Sequence, residues 1–368
     1  MMLIPEQFKW FTSLATRFGV ENIYFVNNNY KIIIEKADIF QKKQYLGEKT
    51  QCRYCQAFNM NVDSIRRKLN DGEISIEDVS SFKKIAHSLP TFIGNANIIS
   101  KDECDTCNEK FSLFENNLVD FLGIARTTNK IRGRNGIPKF KNTKNEFVDI
   151  SEGDLIIGTT EDSEMYEENN DSITITTVKK YIPIEVHKCF VKMALSVLPV
   201  EDLKDFSKTI KWLLGEEILD ESYSKQLYVI QTKWPVKNIY PAVIIDIYKR
   251  NGENIDLPYM FARVCFSNYA FQFPIPLCSM DKLVNNFNLP TIIKHETPFQ
   301  ELLTDNNLWK TILNDTSISK INLSSTELKE EIDKQCFRKT EGKSSINLED
   351  LPEHVIDYIK QKNLTIKT

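Results

Sequence analysis

The chain has 368 residues, 41% hydrophobic and 27% charged, the balance of a globular protein long enough for two domains of common size. It contains no apolar run of about 18 residues, which excludes a membrane-spanning helix. Its net charge of −4 argues against a uniformly basic nucleic-acid binder.

The opening residues, Met1 to Glu6, lack the basic and apolar regions of a signal peptide. Eight cysteines without such a leader point to a cytoplasmic protein that uses thiols for metal binding and packing, not for disulfides.

Residues 1–50 read as a lead-in. Phe8, Phe11, Leu14 and Phe18 recur at helical spacing over 5–18. Ile23 to Val26 and Lys31 to Glu35 then read as a hairpin around Asn27-Asn28-Asn29, expected to pack on the module that follows.

Residues 51–125 carry the motifs. Cys52-Arg-Tyr-Cys55 predicts a tight knuckle. The polar stretch 61–80 reads as a partly helical insertion. Ser81 to Ser88 predicts a first strand, Thr91 to Asn97 a connection, and Ile98-Ile99 a return strand. Cys104-Asp-Thr-Cys107-Asn108 predicts a second knuckle leading into a helix from Asp105 to Leu122. Phe111, Phe114, Leu118 and Phe121 or Leu122 form its apolar face, and Gly123 stops it.

Residues 126–178 read as a linker with segregated charge. Arg126 to Lys144 holds seven basic residues and no acidic one, whereas Asn145 to Val178 holds ten acidic residues and no basic one. The basic run suits phosphate contacts; the plainer reading is a solvated loop balanced by its neighbour. Turn signals fall at Gly133, Asn135-Gly136 and Pro138, and strands at 154–158 and 172–178.

A second domain is expected over 179–368. Pro183 to Leu198 predicts a helix with proline in its first turn. Leu203, Phe206, Ile210 and Leu213 mark another, stopped by Gly215. Strands follow at 226–233, 240–248, 259–266 and 269–277, the last two joined by Ser267-Asn268. Helices are expected over 297–313, 324–335 and 347–362. This succession without a βαβ rhythm makes the class α+β.

Two Cys-x-x-Cys pairs separated by 48 residues suit one tetrahedral Zn²⁺ held by Cys52, Cys55, Cys104 and Cys107. A site closed by four thiolates has no open position, so this zinc is structural. His87 lies between the pairs; an imidazole takes a proton from water near neutral pH. Asn108 follows the last ligand and offers an oxygen of the kind Mg²⁺ or Mn²⁺ prefers, although a helix-capping role suits it as well. Cys189, Cys265, Cys278 and Cys336 lack ligand spacing and read as buried thiols. His187, His295 and His354 lack metal-spaced partners. Trp212 and Trp234 read as core.

Cys-x-x-Cys, then Ala86-His87-x-x-Pro90, Gly94-Asn95 and Cys-Asp-x-Cys-Asn with Phe111-Ser112 resemble the HNH endonucleases. The closest likeness is to the group whose ββα-metal core is stapled by two such knuckles. It covers 51–123 and continues loosely through Gly133 to Lys141. It implies a zinc-stapled, treble-clef-like ββα module followed by a C-terminal domain of helices and antiparallel sheet. It also implies a metal-dependent DNA endonuclease. His87 is then the general base, Asn95 the middle residue holding the loop, and Asn108 the residue that binds or orients a catalytic Mg²⁺ or Mn²⁺. Arg126, Lys130, Arg132 and Arg134 are expected to hold the DNA backbone. Such modules suggest bacterial restriction or anti-phage defence, with a homo-oligomer or defence-system protein as partner.

One position departs from the pattern. Relatives often carry Asp or Glu before the histidine; here it is Ala86. Glu115, seven residues past Asn108 and on a similar helical face, is the first candidate substitute and Asp105 the second, against a plain solvent-facing role. The alternative function is an inactive zinc scaffold that binds nucleic acid or protein.

Overall fold

The structure is a computed structural model. It describes residues 29–38, 42–151, 154–160, 163, 165–169, 172–219, 227–233, 240–252 and 257–281, with the backbone of strands at 300–303, 313–322, 338–340 and 343–345. The helix expected over 5–18, the first strand of the early hairpin, Trp234, His295, Cys336 and His354 lie outside these residues, as do the helices expected over 324–335 and 347–362.

The chain forms two compact units, residues 1–161 with 177–317, and residues 162–176 with 318–368. In the second, Tyr166 pairs with Ile175 and Asn169 with Ser172 in a hairpin, and Arg338–Thr340 pairs with Lys343–Ser345 in another.

The first unit opens with β1 (Tyr30–Ala37) and β2 (Gln44–Leu46), followed by α1 (Val62–Asn70), which Asn61 caps by accepting from the Ser64 N–H. β3 (Ala86–His87) and β4 (Ile98–Ser100) form an antiparallel pair, and β2 runs parallel on the other side of β4. α2 (Asp105–Leu122) completes a ββα unit. Its apolar face is the one expected, with Phe111, Phe114, Leu118, Phe121 and Leu122 buried, and Gly123 ends it at φ +50°, where other residues are strained.

α3 (Pro183–Val197) starts on its proline and is buried nearly all round, as its sequence requires. α4 (Ser207–Leu214) stops at Gly215, φ +76°. Then come β5 (Val229–Lys233), β6 (Tyr240–Arg250), β7 (Met260–Ser267) and β8 (Tyr269–Pro274), and β9 (Gln300–Leu303). They build one antiparallel sheet ordered β1-β6-β7-β8-β5-β9.

Three expectations need correction. The strand read over Lys31 to Glu35 forms, but as β1 it borders the large sheet, Tyr30 opposite Arg250 and Ala37 opposite Ile244; the lead-in meets the cysteine module through Asp38 and β2 instead. The strand expected over 81–88 shrinks to two residues, because the Asp105 carboxylate takes the N–H groups of Lys83 (3.1 Å) and Lys84 (2.8 Å). Residues 300–303, expected as helix, pair with the edge of β5.

The apolar core does not break near Lys179. Phe111, Phe114 and Leu118 of α2, Phe190 and Met193 of α3, and Ile245, Val264, Phe271 and Phe273 of the sheet belong to one buried cluster. Phe271 packs against Phe190 with its ring tilted by 33° at 4.7 Å and meets Phe121 edge-on at 6.2 Å. The ββα unit is therefore seated on the same core as the large sheet.

Candidate functional site

The four cysteines of the two knuckles converge, their sulfurs all within 4.8 Å of one another. Each knuckle has a local cause. Cys52 donates its N–H to the Ala57 carbonyl (2.8 Å) and accepts from the Gln56 N–H (3.0 Å), with Gln56 in the left-handed region at φ +61°. Cys104 caps α2, its sulfur accepting from the Cys107 N–H at 3.4 Å. Hydrogen bonds from Cys107, Cys52 and Cys55 converge on Cys104 and drive its thiol far below the ordinary range. Around zinc, Zn–S bonds of about 2.3 Å place sulfurs roughly 3.8 Å apart. The Cys55–Cys104 separation is 3.6 Å. Donor chemistry and spacing both fit this ion.

β3 presents His87, half-buried, opposite Ile99 of β4. The turn between the strands is held by Asn95, only 1% exposed. Its carboxamide donates to the carbonyls of Leu89 (2.5 Å) and Ile98 (3.1 Å) and accepts from the Ile98 N–H (3.0 Å). Gly94 beside it stands at φ +107°, with Val243 3.4 Å from where a Cβ would lie. Asp38, just past β1, clamps the same turn by accepting from the Ala96 N–H and the Asn97 carboxamide, both at 2.5 Å. Asn108 is half-buried in the first turn of α2, its N–H spent on the Cys104 carbonyl (2.9 Å). Among the described residues no hydrogen bond uses its carboxamide.

Burial, then the charges of Lys192 and Arg134, hold the His87 imidazole below the usual histidine range. Lys43 adds to this and Asp38 opposes it. The Nδ1 of His87 is buried with no hydrogen-bond partner among the described residues.

The residue directly before the histidine is Ala86, a buried side chain with no ligand atom. The first candidate substitute, Glu115, belongs to a buried group with Lys192 and Glu103. Burial raises its pKa and Lys192 opposes the rise. Asp105 is committed to backbone anchoring, accepting also from the Ser81 hydroxyl. Among the described residues the cysteines are the one cluster of three or more His, Cys, Asp or Glu side chains arranged to hold a metal.

Of the basic residues, Arg132 and Arg134 are exposed. Arg126 packs over the Phe92 ring at 5.1 Å, and burial lowers its pKa. Lys130 is half-buried at φ +54°. Lys139 pairs with Asp149 at 3.4 Å, so the basic and acidic runs do meet. Cys189, Cys265 and Cys278 are buried thiols, and Trp212 lies in the core. Sequence reading missed Lys192 and Glu103, which no local spacing connects.

No family model, curated protein or solved structure matches this chain.

Proposed function

We propose that this protein is a zinc-stapled endonuclease of the HNH type that hydrolyses DNA phosphodiester bonds. The observation that carries the reading is the ββα unit itself. A cysteine-clustered hairpin and helix carry His87 on a strand, Asn95 inside the turn and Asn108 directly after the last cysteine.

His87 acts as general base. Its lowered pKa keeps the imidazole neutral at pH 7, the form that accepts a proton from water. Asn95 keeps β3 and β4 in register, and Asn108 supplies the protein oxygen for Mg²⁺ or Mn²⁺. When bound, that cation neutralises charge on the phosphorus oxygens and the leaving oxygen. Exposed Arg132 and Arg134 attract the backbone without reading sequence.

Buried Ala86 favours a second reading, a module that binds nucleic acid without cutting it. Plasmid incubated with the zinc-loaded chain and Mg²⁺ or Mn²⁺ separates the two, with EDTA and His87→Ala as controls. Cleavage lost in both controls supports the nuclease. Retarded migration without cleavage under either metal supports the binding module. Cleavage that persists in His87→Ala removes the imidazole from the chemistry.

A further inference from the structure

Lys192 is an anomaly for its residue type, a lysine in the middle of α3 that is 1% exposed. Lysine is almost never fully buried unless paired. Its ammonium lies 3.1 Å from Glu103, the residue before the knuckle ligand Cys104, and donates to the backbone carbonyl of His87 at 2.9 Å. Phe111 of α2 lies beneath it, 5.8 Å to the ring centre.

The recipient carbonyl needs such a donor. Ser88 donates its N–H to Ile98 at 3.1 Å, which makes His87–Ile99 the pair without ladder hydrogen bonds. His87 lies on the edge strand of its sheet, so its carbonyl points away from β4. A buried carbonyl left without a donor is costly. The next carbonyl is held from the same helix: Ser196, one turn beyond Lys192, donates to Ser88 at 2.9 Å. One face of α3 thus grips two consecutive carbonyls of the strand that carries the imidazole.

We propose that Lys192 is the positioning residue for His87, tying the backbone of the imidazole-bearing strand to the second cysteine knuckle through Glu103. The proposal rests on the nuclease reading for its purpose, but the contact can be tested without any cleavage. Lys192 touches no substrate in this role; it fixes where the imidazole stands. A positioned base loses rate steeply when displaced, on the order of a hundredfold for about 1 Å.

The test uses the full zinc-loaded chain with its imidazoles isotope-labelled, His87→Gln assigning the His87 signal. The variants are Lys192→Met, Lys192→Arg and the double variant Lys192→Met with Glu103→Gln. The double variant removes the Lys192–Glu103 ion pair as a whole and so guards against unfolding from an unpaired, fully buried Glu103 carboxylate. The expected result is a displaced His87 imidazole resonance in whichever methionine variant folds, returning toward the wild-type position with arginine. For cleavage, the expectation is a kcat lower by about ten- to a hundredfold at an unchanged KM, partly rescued by arginine. An unmoved His87 signal in a folded methionine variant overturns the proposal, as does a loss confined to KM. If the wild-type chain cuts no DNA, the nuclease reading fails while the resonance still decides whether Lys192 positions His87.

Discussion

Arg53 and Asp102 form a buried, two-pronged ion pair between the knuckles, with Nη2 and Nε of the arginine 2.7 and 3.0 Å from one carboxylate oxygen. Arg53 sits inside the first knuckle, and its remaining nitrogen donates to the carbonyls of Leu195 (2.7 Å) and Leu198 (3.1 Å) where α3 ends. One guanidinium thus joins the first knuckle, the approach to the second, and the last turn of α3. Removing one partner leaves the other charge buried and alone. Arg53→Met or Asp102→Asn should lower unfolding stability by about 3–5 kcal/mol. Urea denaturation of the zinc-loaded protein measures it; a loss under about 1 kcal/mol would show the pair to be solvated.

Zinc should be integral to this fold. Cys52, Cys104 and Cys107 are almost completely buried among the side chains of the unit's core. Elemental analysis of the purified chain should find one zinc per protein. Cys107→Ser, or a strong chelator, should release it and lower the melting temperature markedly, because binding energy at such a site is folding energy. A metal-free preparation with an unchanged melting curve would refute this.

Asn95 offers a sharper local test. Its carboxamide serves two carbonyls and one N–H inside a closed turn, and alanine would strand all three. Asn95→Ala should cost about 2–4 kcal/mol, summing losses of roughly 1–3 kcal/mol for unsatisfied buried groups with partial relaxation. Asn95→Asp should be worse still, since a carboxylate would face two carbonyl oxygens. Thermal melts of both variants check the order.

Much of the ββα unit was legible because its signals are local. The paired cysteines, the apolar face of α2 and the stops at Gly123 and Gly215 each depend on residues within one or two turns. The tight hairpin at Ser267, which adopts φ +53°, was equally local. What sequence did not reveal is pairing over distance. β1 finds β6 more than 200 positions away, and no pattern within either strand names its partner. Residues 300–303 carry helical spacing, but the open edge of β5 supplies backbone partners that spacing cannot weigh. Lys192 reads as one polar residue on an apolar helix; its meaning comes from His87, 105 positions earlier. β3 was overestimated because the competing acceptor, Asp105, sits past the second strand.

The acid limb of cleavage should lie below the ordinary histidine range. Burial and the cations Lys192, Arg134 and Lys43 favour neutral His87, with Asp38 opposing. The folded-state pKa is therefore below the unfolded value near 6.5. Between the two values the unfolded chain binds the extra proton, so this group's contribution to stability is present above about pH 6.5 and declines as pH falls below it. Removing a nearby cation with Arg134→Ala should move the acid limb of kcat/KM upward, and Asp38→Asn should move it downward. Opposite displacements would place the imidazole in a different electrostatic setting.

Arg132 and Arg134 should act on DNA mainly through phosphate charge. Both are exposed, next to the turn in which Gly133 and Gly136 exchange backbone hydrogen bonds of 2.9 and 3.1 Å. Arg126 is half-buried over the Phe92 ring at 5.1 Å, so its charge is less open to solvent than that of the exposed pair. Each arginine that neutralises a phosphate releases a counterion, and log affinity then falls with log salt by about 0.9 per contact. Arg132→Ala with Arg134→Ala should weaken binding to unrelated duplexes to a similar degree and flatten the salt slope by nearly two. Arg126→Ala should leave the slope nearly unchanged and lower thermal stability, because it loses packing and no phosphate contact. Fluorescence anisotropy across a salt series reads the slopes directly. If Arg126→Ala flattens the slope as much as the exposed pair does, DNA approaches from the Phe92 side and the assignment of the basic run must be redrawn.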